Sequence, residues 1–293
     1  MNLKGSHHKP KILITGAAGQ LGQELQAASS NYPQFEFHFF TKTELPVDDA
    51  DSVSAHFSAI DPAICINAAA YTAVDKAEQE KEVAFRINGE AVGIIAEACA
   101  KQNAWLIHIS TDYVFDGNSS IPLKEDDFVS PVNTYGESKL KGEELAFSNN
   151  EKTIIIRTSW VYSEFGNNFV KTMMRLMKEK DQINVIDDQF GSPTYAADLA
   201  EAILQILSNN DLVSGIYNYS NEGKITWYEF AQGIKELIGS SCKINPIPTV
   251  QYPTPAKRPH FSLLDKSKIM ETYKIETIAW QESLKRCIDH IMK

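Results

Sequence analysis

Lys11-Ile12-Leu13-Ile14-Thr15-Gly16-Ala17-Ala18-Gly19-Gln20-Leu21-Gly22 is the stretch that decides the fold. A short apolar run followed by glycines in Gly-x-x-Gly-x-x-Gly spacing reads as a strand, a tight turn and the start of a helix. Each glycine permits a sharp turn or a close backbone approach, and the helix start offers unpaired amides and a positive dipole to a pyrophosphate. A purely structural strand-to-helix turn would look similar. Its place at the first strand of a strand-helix-strand series favours dinucleotide binding, through Gly16, Gly19, Gln20, Leu21 and Gly22.

Outward from that turn, short apolar runs alternate with longer amphipathic segments, as when parallel strands are joined by helices. Strands are expected at Lys11–Thr15, Phe35–Phe40, Ile64–Asn67, Trp105–Ser110 and Thr153–Arg157, and helices at Leu21–Ser29, Ala50–Ile60, Val83–Gln102 and Tyr135–Phe147. Strands apolar on both faces call for helices on both sides of the sheet. The fold class is therefore α/β, a Rossmann-type doubly wound parallel sheet with a ligand crevice at the carboxyl ends of its strands. Beyond Trp160 the pattern is less regular. Helices are expected at Asn168–Lys180, Tyr195–Ser208, Trp227–Ile238 and Ala279–Met292, a strand at Gly215–Tyr219, and an extended proline-rich stretch at Pro246–Pro259. Residues 11–162 together with 194–222 read as the dinucleotide-binding domain, and 163–193 with 223–293 as a smaller C-terminal substrate-binding domain. Residues 1–10, polar and containing Gly-Ser-His-His, read as a natural tail or an artificial leader.

A formal net charge of −10 over 293 residues argues against a nucleic-acid partner, which needs a basic surface. A small anionic ligand is compatible with it if cations are concentrated locally. Cys65, Cys99, Cys242 and Cys287 show no metal-ligand spacing and suit a reducing cytoplasm, the expected location. No apolar run is long enough to span a membrane, so no membrane partner is expected.

At the cofactor end, the second strand closes as Phe39-Phe40-Thr41-Lys42, without the carboxylate that would bond a ribose 2′-hydroxyl. The Thr41 hydroxyl and the Lys42 cation would tolerate a 2′-phosphate, which favours NADPH and leaves NADH open. Asp48 either meets the adenine or caps the next helix. Asn67-Ala68-Ala69-Ala70 ends the third strand with residues small enough for Ala68, Ala69 and Ala70 to lie against a cofactor.

At the reacting end, His108-Ile109-Ser110-Thr111-Asp112-Tyr113 closes the fourth strand with hydroxyls at the crevice. Tyr135 and Lys139 stand at i and i+4, neighbours on one helix face, where an ammonium can lower the pKa of a phenol ordinarily near ~10. Thr111, Tyr135 and Lys139 make a coherent proton-transfer set for a carbonyl: Thr111 bonds its oxygen, Tyr135 delivers the proton, and Lys139 also holds the nicotinamide ribose.

With these motifs in hand, the chain resembles the extended short-chain dehydrogenase/reductases, and among them the dTDP-4-dehydrorhamnose reductase family. The resemblance is carried by Thr15–Gly22, Asn67–Glu78, Ser110–Phe115, Tyr135–Lys139, Arg157-Thr158-Ser159-Trp160-Val161-Tyr162, Gly166–Phe169, Asp188-Gln189-Phe190-Gly191-Ser192-Pro193-Thr194 and Arg258-Pro259. It implies NADPH-dependent reduction of the 4-keto group of dTDP-4-dehydro-L-rhamnose, with Tyr135 as proton donor. It further implies that Trp160 contacts the sugar or nucleotide and that Arg258 pairs with the diphosphate, while Asp112, Tyr113, Asn168 and Gln189 are further substrate-site candidates. Members of this family can be homodimers, some with a divalent metal such as Mg2+ at the interface. Glu24, Asp198 and Glu201 are the carboxylates considered for it here, read as exposed helix residues, and no metal ligand is assigned.

Three other functions share parts of this pattern. Sugar-nucleotide dehydratases have a Glu where this chain has Tyr113, which disfavours elimination. A sugar-nucleotide 4-epimerase uses the same carbon-4 chemistry with retained NAD. A non-catalytic regulatory subunit of a methionine adenosyltransferase has the same fold, since fold alone does not imply function.

Overall fold

Two isoleucine-rich strands explain the centre of the molecule. Ile12, Leu13 and Ile14 of β1 (Lys11–Thr15) and Ile154, Ile155 and Ile156 of β5 (Thr153–Thr158) are each 0% exposed, because helices cover both faces of the sheet. The computed structural model describes residues 9–209 and 211–293, so the expected tail lies outside the described residues apart from Lys9 and Pro10. With β2 (Glu36–Phe40), β3 (Ile64–Asn67), β4 (Trp105–Thr111) and the strand Gly215–Asn218, six strands pair in parallel in the order Gly215–Asn218, β5, β4, β3, β1, β2. This is the Rossmann-type sheet, and the strand order reverses at β1, where the Gly-rich turn begins.

One helix departs from its expected form. The segment expected as an unbroken helix at Val83–Gln102 runs as Lys81–Phe85, a π-turn at Arg86–Glu90, and Ala91–Lys101. The π-turn carries Asn88, which is 0% exposed and bonds inwards through its amide.

A second core forms from residues distant in sequence. Helices Phe169–Glu179, Trp227–Ile238 and Trp280–Ile291 bring Val170, Met173, Phe230, Ile234 and Leu284 together. Thr226 and Glu229 form a capping box, and Gly239 ends the same helix at φ +64. Two strands not anticipated from the sequence, Gln182–Ile186 and Lys243–Ile247, pair in parallel beneath these helices. Pro246 therefore stands in a strand of a two-stranded sheet, where a missing N–H is tolerated, and Thr249–Gln251 turns as a short 3-10 helix. The short helix Ser267–Tyr273 was likewise not anticipated.

Candidate active site

The Gly-rich turn leaves room for backbone alone. Gly16 sits at φ +70, and a Cβ there would come 2.7 Å from the Ala68 carbonyl carbon; one on Gly22 would lie 2.3 Å from the Gly16 oxygen. Gly19 is the N-cap of the helix Gln20–Ala28 and provides no side-chain cap, so nothing covers the first amides on that side. A cradle that a methyl group would fill, opening onto a helix start, fits a dinucleotide phosphate. Ala68 packs on this turn, and the Ala69 amide donates to Asn67 Oδ1 at 3.2 Å.

Around the second strand the side chains take partners that the sequence did not indicate. The Thr41 amide and hydroxyl both donate to Glu44 Oε2 at 2.8 Å, and these bonds hold the Glu44 carboxyl below its ordinary range. A carboxylate thus shares the turn with the exposed Lys42. Asp48 does not cap the following helix. Asp49 does so, accepting from the Asp51 and Ser52 amides, while Asp48 receives Arg86 Nε at 3.1 Å.

Thr111, Tyr135 and Lys139 converge at the end of β4. The Thr111 hydroxyl donates to Asp112 Oδ1 at 3.0 Å and accepts from the Tyr113 amide. The Tyr113 and Tyr135 rings meet edge to face, 5.5 Å between centroids. Burial pushes the Tyr135 phenol up to about 12, against a lowering hydrogen bond with Thr111 and with the nearby Asp112 charge adding to the rise. The expected lowering of Tyr135 by Lys139 is absent from this balance. Lys139 is 2% exposed and donates to the Ile109 carbonyl at 2.6 Å, with His108 Nε2 3.3 Å away. Burial brings Lys139 down to about 8, opposed by the Glu143 carboxylate one turn along. Burial also raises Asp112 to about 6, opposed by hydrogen bonds with Ser262 and Thr111. Asn88 was not singled out from the sequence, yet it accepts from the Tyr71 amide and donates to the Tyr71 carbonyl and to Ser138, joining the loop after β3 to the Tyr135 helix.

The expected substrate residues divide into two groups. Gln189 and Arg258 line a cavity of about 930 Å³ together with Asp75, Phe169, Trp227 and Tyr252. Arg258 makes a bidentate ion pair with Asp75, Nη1 to Oδ1 at 3.0 Å and Nη2 to Oδ2 at 2.8 Å. This pairing holds Asp75 below the ordinary carboxylate range. Gln189 donates to the Thr249 hydroxyl. Asn168 does not line the cavity: it caps the helix Phe169–Glu179 and donates to Gln20 Oε1 at 2.9 Å, which ties that helix to the Gly-rich turn. Trp160 holds φ +48, an uncommon conformation for so bulky a residue, and stacks on Trp227 with centroids 3.7 Å apart.

Two of the three carboxylates considered for a metal are buried, contrary to expectation. Glu24 accepts from the Ser163 hydroxyl at 2.6 Å. Asp198 is bonded by Ser283, Asn221 and Arg286, and Glu201 accepts from the Tyr32 hydroxyl. Among the described residues no group of three or more His, Cys, Asp or Glu side chains is arranged to hold a metal ion. Nor is any helix among them long and apolar enough to cross a membrane.

The chain is similar to known proteins along almost its whole length. The dTDP-4-dehydrorhamnose reductase of Aggregatibacter actinomycetemcomitans is 41% identical over 285 residues, covering 94% of this chain and 97% of that protein. The enzyme of the same name from Escherichia coli K12 is 42% identical over 294 residues, covering 96% and 97%. The crystal structure of dTDP-4-dehydrorhamnose reductase from Bacillus anthracis in complex with NADP superposes with a TM-score of 0.93 at 37% identity, covering 97% of this chain and all of that one. The family described as the RmlD substrate binding domain matches residues 10–293, and the chain belongs to that family.

Proposed function

We propose that the protein catalyses NADPH-dependent reduction of the 4-keto group of dTDP-4-dehydro-L-rhamnose, giving dTDP-L-rhamnose. The observation that carries this reading is a half-buried phenol, Tyr135, whose pKa is pushed up to about 12 beside the Thr111 hydroxyl at the end of β4. When bound, NADPH supplies the hydride for carbon 4. Tyr135 gives its proton to the developing alkoxide, and a phenol whose pKa lies well above neutrality begins the reaction in the donor form. Thr111 orients the carbonyl oxygen. Lys139 holds the nicotinamide ribose, and as an ammonium it stabilises the tyrosinate until solvent returns a proton.

Gly16, Gly19, Gln20, Leu21, Gly22 and Ala68–Ala70 would hold the dinucleotide. Lys42 and Thr41 support NADPH over NADH, as does the NADP bound by the Bacillus anthracis relative. Arg258, whose planar guanidinium suits a phosphate, would exchange Asp75 for the substrate diphosphate. Asp112, Tyr113, Trp160 and Gln189 would complete the surroundings of the sugar nucleotide, while Asn168, which caps its helix and bonds Gln20, would support them from outside the cavity. In this division of labour, residues 11–162 and 194–222 bind the cofactor, and 163–193 with 223–293 bind the substrate. A spectrophotometric assay with enzymatically generated dTDP-4-dehydro-L-rhamnose should show stoichiometric NADPH oxidation. Sugar interconversion without net oxidation would identify an epimerase. No turnover, together with stable binding to a methionine adenosyltransferase, would identify a regulator.

A further inference from the structure

Asn67 and His108 form a buried hydrogen-bond chain that the proposed chemistry does not use. They are register partners on β3 and β4, 2% and 0% exposed. Asn67 Oδ1 accepts from the Thr15 hydroxyl at 2.7 Å and from the Ala69 amide at 3.2 Å. A backbone N–H only donates, so the Asn67 amide is fixed with Nδ2 towards His108, 3.1 Å from His108 Nδ1. His108 Nδ1 must therefore accept. Burial holds the pKa of this imidazole well below its ordinary value and keeps it neutral, so its single proton lies on Nε2. Nε2 stands 3.3 Å from Lys139 Nζ. An N–H facing an ammonium would set donor against donor, whereas a neutral amine offers it a lone pair and still donates to the Ile109 carbonyl at 2.6 Å.

We propose that His108, held by Asn67 in its Nε2–H tautomer, is a positioning residue whose N–H faces Lys139 Nζ and opposes protonation of that amine in the unliganded enzyme. The proposal rests on the reductase reading for the step it serves. For the ammonium to lose this opposition, Nε2 has to accept, Nδ1 has to donate, and the Asn67 amide has to turn over, leaving the Ala69 amide with its longer bond to the Thr15 hydroxyl at 3.4 Å. The charge of Lys139 is thereby coupled to the backbone at the end of β3, where the cofactor is expected. The other ionisable neighbours are few. Glu143, on the same helix, favours the ammonium but is itself paired with Arg157 of β5 at 2.7 Å. Tyr135 lies one turn before Lys139, Asp112 after β4 acts on Tyr135, and the π-turn brings only the uncharged Asn88 to Ser138.

Nitrogen-15 NMR of histidine-labelled protein, with His108 assigned by its loss in His108→Gln, should report the Nε2–H tautomer. An Nδ1–H or a doubly protonated ring overturns the proposal. The second measurement is the pH profile of kcat/KM for NADPH oxidation, whose Lys139 limb is expected near the group's pKa of about 8. A carboxylate only accepts, so Asn67→Asp forces the Nδ1–H tautomer and should move that limb up by about one pH unit or more. A limb that stays in place overturns the proposal. Absence of NADPH oxidation by the wild type counts against the reductase reading instead, and the NMR result then decides the tautomer independently.

Discussion

The reacting end and the sugar-nucleotide end of the site are held by different means. Thr15, Asn67 and His108 are register neighbours on β1, β3 and β4, so the sheet itself sets their spacing. Tyr135 and Lys139 follow on one face of a single helix. At the other end, Asp75 and Arg258 meet across 183 residues of sequence, and Gln189 reaches Thr249 across 60, from loops and short helical turns. The first end is arranged before any ligand arrives. The second is closed on itself by an ion pair between Arg258 and Asp75.

The largest expected effect tests the preformed end. Tyr135→Phe removes the donor and keeps the ring against Tyr113, so turnover should fall by about 100-fold or more while cofactor binding and thermal stability stay near wild type. Near-normal turnover would place the proton source elsewhere and dissolve the contrast between the two ends.

The adaptable end should respond in KM rather than in kcat. Arg258→Ala should raise KM for the sugar nucleotide by about 10-fold, in line with loss of a charge-assisted phosphate contact. Asp75→Asn removes the competing charge and should lower KM by about 2- to 5-fold, because the partly exposed pair it weakens contributes little on its own. If both substitutions raise KM alike, the pair is a fixed scaffold and not a contact that the substrate replaces.

The same difference explains what the sequence could and could not convey. The main elements of the reacting end follow from local spacing: glycines three apart after a strand, Tyr and Lys four apart on a helix, hydroxyls at a strand terminus. The π-turn at Arg86–Glu90 was hidden because helical periodicity tolerates one slipped turn, and its only sign was Asn88 inside an otherwise apolar face. Gln182–Ile186 and Lys243–Ile247 pair across a long separation, and Pro246 disguised the second strand. Asp49 could be told from Asp48 as the cap only once the first helical turn was fixed. Arg258 was legible as a phosphate-type cation, but its partner Asp75 was not, since nothing in one segment specifies which loop lies opposite it.

The smallest expected effect concerns the seam between the two ends. Glu24, on the helix after the Gly-rich turn, meets Ser163 at the start of the substrate side, and Glu164 lies beside it. Burial, reinforced by a bond to Glu164 and opposed by the one from Ser163, raises Glu24 from 4.5 to about 8. The folded protein therefore binds a proton that the unfolded chain has lost, and this contribution to stability is full below pH 4.5 and gone as pH rises through about 8. Glu24→Gln keeps a neutral hydrogen-bonding group at every pH, so its Tm should fall less than the wild type's over this window. At the alkaline end the variant should be the more stable by about 1 kcal/mol, or about 2–4 °C. Parallel Tm curves would mean that Glu24 is ionised throughout and that the seam is held by ordinary carboxylate bonds. A flatter curve for the variant would mean that the preformed end meets the adaptable one through a shared proton, and that raising the pH loosens their junction before it reaches the sheet.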